Sequence, residues 1–322
     1  MMKKTLVALA AVAVTGGAFA QATMTGAVAF GFQSDTTSAN VTTSGMGIED
    51  SEINFAVSED IEGVGKLSAG TGYGGGGKGV GVTTNDTNIT LTLANGAKIR
   101  MASAKGAEYL TGGVAGAGAN FEADLTSTTL VSRTSNDSVS FSMPVAAGLT
   151  LTVTNTEADV VIGTGSAAAA ATTPVQRYNT GALQYKVGAL VVDGQYRSYD
   201  NQVANSATYV NTKNRLSASY DLGAAKIGAG VDSNTYTYGN TKTNTLIGLT
   251  IPMGSLTLGA QMLTVTTSGN ATASSNYSRT GALAGGKYDL SKRTYVTGQY
   301  WTGDVGGTSN QTGYLFSLYN TF

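Results

Sequence analysis

The sequence has 322 residues with 19 basic and 20 acidic side chains, and it contains neither cysteine nor histidine. The absence of both excludes thiol nucleophiles, histidine general bases, disulfides and zinc sites built from these residues. No serine or threonine has a plausible base nearby, so neither a catalytic site nor a cofactor is predicted. The near-neutral charge without a basic patch gives no reason to expect a nucleic acid partner.

The first 20 residues have the pattern of a secretory signal peptide. Lys3 and Lys4 precede an apolar run from Thr5 to about Val14, and a small-residue cleavage site follows at Ala18-Phe19-Ala20. The run is too short for a membrane-spanning helix. We expect residues 1–20 to be removed and residues 21–322 to form a single domain.

The rest of the chain alternates between apolar and small or polar residues, the period expected of strands with two different faces. Ile53, Phe55 and Val57 form one such series, and Ile247, Leu249 and Ile251 another. No apolar run is long enough to cross a bilayer as a helix. The sequence therefore predicts an all-β protein.

The connections between these strands alternate in length along the chain. Seven are tight: Ile61 to Gly65, Asn95-Gly96, Pro144 to Gly148, Val187-Gly188, Leu222 to Ala225, Pro252 to Ser255 and Leu290 to Lys292. Between them lie eight longer stretches, including Ser34 to Gly47, Ala104 to Thr129, Thr156 to Arg177 and Asp200 to Asn211. A two-sheet sandwich does not require this alternation, whereas a transmembrane barrel has short periplasmic turns and long external loops. We predict a transmembrane antiparallel β-barrel of 16 strands.

Two further features fit a barrel. Several tyrosines stand at predicted strand ends and suit the aromatic girdles of the membrane interfaces: Tyr73, Tyr178, Tyr236, Tyr288 and Tyr319. The stretch GYGGGGKG, Gly72 to Gly79, resembles a phosphate-binding loop, but Gly79 replaces the hydroxyl residue and a strand follows instead of a helix. We interpret it as an external loop.

Four segments, in order along the chain, resemble the general porins of Gram-negative outer membranes. They are SEINFAVSED (Ser51 to Asp60), NDSVSFSMP (Asn136 to Pro144), YDLSKRT (Tyr288 to Thr294) and the terminal YLFSLYNTF. The resemblance implies a homotrimeric diffusion channel in the outer membrane, in contact with lipid and lipopolysaccharide. It also implies that the third loop, Ala104 to Thr129, folds into the lumen, and that the barrel-assembly machinery reads Phe322.

The sequence departs from this family at positions that bear on the pore. Glu52 stands where the family carries a lumen arginine, and Asp86 falls near a second one. Arg133 resembles a third, one residue too far upstream, and alternation places it on the lipid face unless a β-bulge precedes Asn136. Asn320 replaces the aromatic residue that usually stands two positions before the terminal phenylalanine.

The polar face of the strands predicts the lining of the channel. Its charged members are Glu52, Arg100, Lys186, Asp193, Arg197, Arg215, Asp221, Lys226 and Asp232. The third loop adds Glu108, Glu122 and Asp124, which we expect to face Arg100 and create a transverse field. With Asp86 and Arg133 as further candidates, we predict a water-filled channel for small hydrophilic solutes that weakly prefers cations.

Two other kinds of function are compatible with the pattern. A substrate-specific channel, for example for carbohydrates, would require a series of aromatic side chains along the lumen. The candidates for it are Trp301, Tyr295 and Tyr319. A structural or adhesive barrel would not conduct. Glu49-Asp50, or Glu157 with Asp159, could bind calcium, although solvated carboxylates are the commoner case, and no metal site is predicted.

Overall fold

The computed structural model describes residues 21–37, 39–75, 82–105, 135–157, 177–200, 209–269, 276–304 and 310–322. They form a closed antiparallel barrel in which each strand pairs with its neighbours in sequence and the first strand pairs with the last. The strands are β1 (Gln21–Thr36), β2 (Thr42–Ile61), β3 (Gly65–Gly74), β4 (Thr83–Leu93), β5 (Lys98–Lys105), β6 (Ser135–Ala146), β7 (Leu149–Glu157), β8 (Arg177–Val187), β9 (Leu190–Asp200), β10 (Val210–Asp221), β11 (Lys226–Tyr236), β12 (Thr241–Met253), β13 (Leu256–Ser268), β14 (Tyr277–Asp289), β15 (Thr294–Asp304) and β16 (Asn310–Thr321). The prediction of a 16-stranded antiparallel barrel is confirmed. Within these ranges, no helix is both long enough and apolar enough to span a membrane.

Apolar side chains point outward along the strands, and polar side chains point into the lumen. Phe30, Val153, Leu216 and Phe316 are each more than half exposed on the outer face. Exposure of so many large apolar groups would be unfavourable in water, but on a barrel in a bilayer it matches the hydrocarbon. The predicted alternation is therefore the alternation between lipid and lumen.

All seven predicted tight connections are short turns at one end of the barrel, which by the usual orientation is the periplasmic end. In the β4–β5 turn, the Asn95 side-chain oxygen accepts a hydrogen bond from Ala97 N at 3.0 Å, and Gly96 has a φ of 83°. This left-handed conformation is one that glycine adopts readily. In the β14–β15 turn, the Ser291 hydroxyl oxygen accepts from Arg293 N and Thr294 N instead.

The external connections differ from prediction in one place. The stretch Ser34 to Gly47 was expected to be a long loop, but β1 continues to Thr36 and β2 begins at Thr42. The threonine and serine residues here pair across the two strands, for example Thr36 with Thr42 through their hydroxyls at 2.9 Å. The polar composition of an external hairpin was mistaken for that of a loop.

The barrel closes where the end of the chain meets its first strand. Gly26 N donates to Phe322 O at 2.9 Å, and Phe322 N donates to Gly26 O at 3.0 Å. The Phe322 ring lies against the Cα of Gly26, where any Cβ would collide with it. The terminal phenylalanine therefore has a structural position in the seam.

The tyrosine girdle is only partly as expected. Tyr73 and Tyr288 are exposed on the outer face, in positions that suit a membrane interface. Tyr178, Tyr236 and Tyr319 lie instead on the lumen side of their strands, each in register with other lumen residues. A position at a strand end does not by itself predict that a tyrosine faces the membrane, because successive side chains of a strand point to opposite faces.

The two walls of the barrel differ in height. β2 has 20 residues, whereas β3, β4 and β5 have 10, 11 and 8. Pairing between β2 and β3 begins at Glu52 with Gly74 and runs down to the turn. Among the described residues, the upper part of β2 from Thr42 to Asp50 pairs with β1 alone.

Candidate functional site

Three carboxylates of β2 face the lumen. The pairing with β1 matches Phe30 with Ile48 and Ala29 with Asp50, so Glu49 is an extra residue in a β-bulge. A bulge changes the direction in which side chains point, and here it directs Glu49 to the lumen beside Asp50. Glu52 lies on the same side, paired with Ala27 and Gly74. We call Glu49, Asp50 and Glu52 the acidic wall.

Aromatic side chains hold the acidic wall in place. The Tyr319 hydroxyl donates a hydrogen bond to Glu49 Oε1 at 2.6 Å. The Tyr319 ring stacks on that of Tyr295, with centroids 4.9 Å apart and an angle of 9° between the planes. Lys287 Nζ lies 4.9 Å from the Tyr295 ring centre and 3.0 Å from Asp289. The acidic wall is thus continuous with a polar network that reaches the periplasmic end of β14.

A second charged cluster lies on β9, β10 and β11. Lys213 Nζ is 3.0 Å and Arg215 Nε 2.8 Å from the same oxygen of Asp232, Oδ2. Asp232 is only 2% exposed, and its other oxygen has no hydrogen-bond partner among the described residues. One carboxylate therefore serves two cations.

Arg197 extends this cluster along β9. Its Nε donates to the Thr180 hydroxyl at 3.2 Å, and a terminal nitrogen donates to the Tyr199 hydroxyl at 3.4 Å. The guanidinium carbon lies 4.2 Å from the centre of the Tyr178 ring, a cation–π contact. Arg197 pairs in register with Lys213, so the three cations are neighbours. We call Arg197, Lys213 and Arg215 the basic wall.

The acidic and basic walls stand on opposite strands of the barrel. In the ring of 16 strands, β2 and β10 are diametrically opposite. Glu52 is near the middle of β2, and Arg215 is near the middle of β10. Fixed charges of opposite sign on facing walls create a field across the pore, which acts on every ion or dipole that passes.

Apolar side chains also face the lumen, on β12 to β15. Leu246, Leu263, Val265, Leu283 and Trp301 are buried, with exposures from 1% to 7%. Trp301 packs over Gly313, where a Cβ would collide with its ring. Trp301 was a candidate for the lumen, but the four aliphatic residues beside it were not predicted there, and part of the inner wall is therefore apolar and buried.

The residues predicted for the pore have different locations. Arg197 and Arg215 lie together in the basic wall, and Glu52 lies opposite. Arg100 faces the lumen from β5, between Thr90 and Ser140, away from both walls. Asp86 is exposed on β4, two residues before Asn88. It lies at an irregularity in the pairing between β3 and β4. Glu108, Glu122, Asp124 and Arg133 lie outside the described residues.

Other predicted lumen charges have local roles. Asp193 accepts a hydrogen bond from Gln184 at 2.8 Å, and Asp221 accepts one from Gly223 N at 2.8 Å in the β10–β11 turn. The alternative of calcium at Glu49 and Asp50 finds no support, because the described residues contain no group of three or more ligands suited to a metal ion.

Sequence reasoning missed Glu49, Asp50 and Lys213 as lining residues. Lys213 has the parity of Arg215 and follows the predicted loop Asp200 to Asn211, so the signal for a lumen position was present. Glu49 and Asp50 are consecutive, so strict alternation directs only one of them inward, and the bulge cannot be read from the sequence pattern.

Comparison with solved structures finds porin barrels of the same architecture. An anion-selective porin from Comamonas acidovorans superposes with a TM-score of 0.68 at 16% identity, covering 94% of this chain and 100% of that one. A variant of the Rh. blastica porin gives 0.63 at 13%, with 94% and 100% covered. OmpT, an outer membrane protein of Vibrio cholerae in a trimer form, gives 0.63 at 10%, with 94% and 99% covered. At these identities the likeness concerns the fold.

A family model described as Gram-negative porin matches residues 5–308. No curated protein sequence matches the chain. The family match spans nearly the whole length and agrees with the closed 16-stranded barrel and its charged lumen. The chain therefore belongs to the Gram-negative porins, and it forms a channel for diffusion across the outer membrane.

Proposed function

We propose that this porin is a water-filled channel for small hydrophilic solutes with a weak preference for cations, set by the field between the acidic and basic walls. The observation that carries the proposal is the position of the two walls on opposite strands, β2 and β10. The basic wall is partly neutralised by Asp232. The acidic wall has no cation within ion-pair distance among the described residues, so its negative charge acts on the pore more fully.

We also propose that the third loop, Ala104 to Thr129, folds into the lumen and places Glu108, Glu122 and Asp124 near the narrowest part. The buried apolar patch on β12 to β15 supports this. Burial of wall side chains to a few percent exposure is the result expected where a further segment of the chain covers them inside the lumen. Acidic residues in that segment add to the cation preference, while Arg100 and Arg133 moderate it.

The assembly of the channel follows from its family. We propose cleavage of residues 1–20, a mature domain of residues 21–322, recognition of Phe322 by the barrel-assembly machinery, and contacts with lipid and lipopolysaccharide. A homotrimer is supported by the trimer form of the similar Vibrio cholerae protein. Family membership also supports a transport role and not an enzymatic one.

Neutralising the acidic wall tests the selectivity. The variant Glu49→Gln, Asp50→Asn, Glu52→Gln removes three lumen carboxylates with little change in side-chain volume. In planar bilayers with a potassium chloride gradient centred on ~0.1 M, where the Debye length is about 10 Å, the wild type should give a small reversal potential of cation-selective sign. The variant should move this potential to zero or to the anion-selective sign, because the basic wall then dominates.

A matched control removes the same number of charges from the same strand and its turn. This control is the triple variant Glu59→Gln, Asp60→Asn, Glu62→Gln. All three side chains are exposed at the periplasmic rim. This variant should retain the wild-type sign. An anion-selective wild type, or equal shifts in both variants, would refute the charge assignment. An absence of conductance from correctly folded protein would refute the channel itself.

A further inference from the structure

An apolar groove of about 630 Å³ crosses the outer face of the barrel from β1 to β13. Two rows of residues in register form its sides. One row is Phe32, Phe316, Gly298 and Gly286; the other is Phe30, Leu318, Val296, Tyr288 and Leu256. Gly298 and Gly286 have no side chains of their own, and the Phe316 ring and the Leu258 side chain lie beside these two positions, so that the groove runs between the two rows.

The groove is long enough to hold a lipid chain of one leaflet. From β1 to β13 it crosses four strand spacings of about 4.8 Å, or roughly 19 Å. The length of the groove exceeds the thickness of one leaflet, about 15 Å, because the groove runs obliquely to the membrane. Its lower end is formed by Leu256, Tyr288 and Val296, which lie close to the periplasmic turns.

The turn at this end carries two cations. Lys292 and Arg293, in the turn that joins β14 to β15, are both exposed. Neither forms an ion pair with another described residue. Asp289, the nearest carboxylate in sequence, faces the lumen side and is 3.0 Å from Lys287. The positive charge of the turn is therefore available to a ligand at the membrane surface.

We propose that the groove and this turn form a binding site for one anionic phospholipid of the periplasmic leaflet. An acyl chain lies in the groove, and the phosphate contacts Lys292 and Arg293. Tyr288, 48% exposed between the two parts, occupies the interface level where amphipathic rings are favoured. Apolar lining at the depth of the hydrocarbon and paired cations at the depth of the headgroups are complementary to a phospholipid, and this sets the site apart from the ordinary lipid-facing surface.

The test uses native mass spectrometry of the assembled porin, extracted in mild detergent and supplied with dipalmitoyl phosphatidylglycerol. The wild type should retain one lipid per protomer. In Lys292→Ala, Arg293→Ala, retention should weaken roughly 30-fold, since each cation near an anionic headgroup contributes about 1 kcal/mol. The exchange variant Lys292→Arg, Arg293→Lys should retain the lipid. Val296→Trp, which fills the groove, should lose it, whereas Val153→Trp, on the outer face of β7, should not.

Conductance separates this proposal from the channel function, because none of these side chains lines the lumen and all variants should conduct like the wild type. Equal retention in all variants would overturn the proposal, as would equal loss from Val296→Trp and Val153→Trp. A third outcome would also overturn the proposal. If the wild type carried no lipid and Val296→Trp dissociated the assembly, a second copy of the chain would be the occupant of the groove.

Discussion

Asp232 binds both Lys213 and Arg215 through a single oxygen, with distances of 3.0 and 2.8 Å. Without this carboxylate, two cations on adjacent lumen positions would repel each other across a partly desolvated wall. The cost of breaking a buried pair is several kcal/mol. Here the two cation side chains retain 20% and 18% exposure, so water offsets part of it.

We expect Asp232→Asn to lower barrel stability by on the order of 2 kcal/mol and to shift selectivity toward anions. The measurements are the thermal unfolding midpoint and the reversal potential. Asp193→Asn is the control, because it removes the same charge from β9, two strands away, but breaks only the hydrogen bond from Gln184. If both variants lost equal stability, the double pairing at Asp232 would have no special role.

Part of the lumen lining was predictable from the sequence, and part was not. Arg197, Arg215 and Asp232 followed from alternation, because a strand with one lipid face has only one other direction for a charge. Their contacts did not follow, since Arg215 and Asp232 belong to different strands whose register is set by a turn. Glu49 was beyond reach because a bulge adds one residue without a distinctive sequence.

The strands were predictable as elements for a related reason. Each crosses the same two environments, so apolar alternation recurs along the chain, and six of the seven tight turns contain glycine or proline at or near the reversal, the β14–β15 turn being the exception. Exact strand ends were not predictable on the external side. Beyond the predicted strand ends, β1 and β2 continue as a hairpin rich in threonine and serine, a composition that is also typical of loops.

The seam between β1 and β16 depends on one small residue. Gly26 is covered by the Phe322 ring, and an added Cβ would also approach the carbonyl oxygen of Glu52 to 2.5 Å. We expect Gly26→Val to destabilise the closed barrel by about 1–3 kcal/mol through overpacking and to reduce the yield of folded protein. The measurement is the fraction folded after refolding into detergent, followed by the unfolding midpoint.

Gly181→Val in β8 is the matched control for the seam, because nothing lies within 4 Å of a Cβ built there. A β-branched residue is favourable in a strand, so this variant should fold like the wild type or better. If Gly26→Val also folded normally, the Phe322 ring could move away without cost, and the packed seam would not be needed for closure.

Closure of the whole barrel removes sheet edges, yet its unequal walls leave the upper part of β2 with one-sided pairing among the described residues. β13 is paired on both sides from Leu256 to Thr267. In contrast, β2 from Thr42 to Asp50 is paired by described residues on the β1 side only. An open edge cannot lie in hydrocarbon, because its backbone groups would lack partners. The upper part of β2 must therefore stand above the membrane or be covered by another chain segment.

Hydrogen exchange distinguishes these two cases. If the edge stands in water, about half of the amides from Thr42 to Asp50, those directed away from β1, should exchange at least about tenfold faster than the amides of β13, because no hydrogen bond protects them. The lower part of β2, from Glu52 to Ile61, should exchange as slowly as β13, since β3 pairs with it. The measurement compares peptides from these three segments in the assembled porin and in separated protomers. Slow exchange of Thr42 to Asp50 in both states would mean that the chain covers its own edge, while slow exchange in the assembly alone would place a neighbouring copy on it.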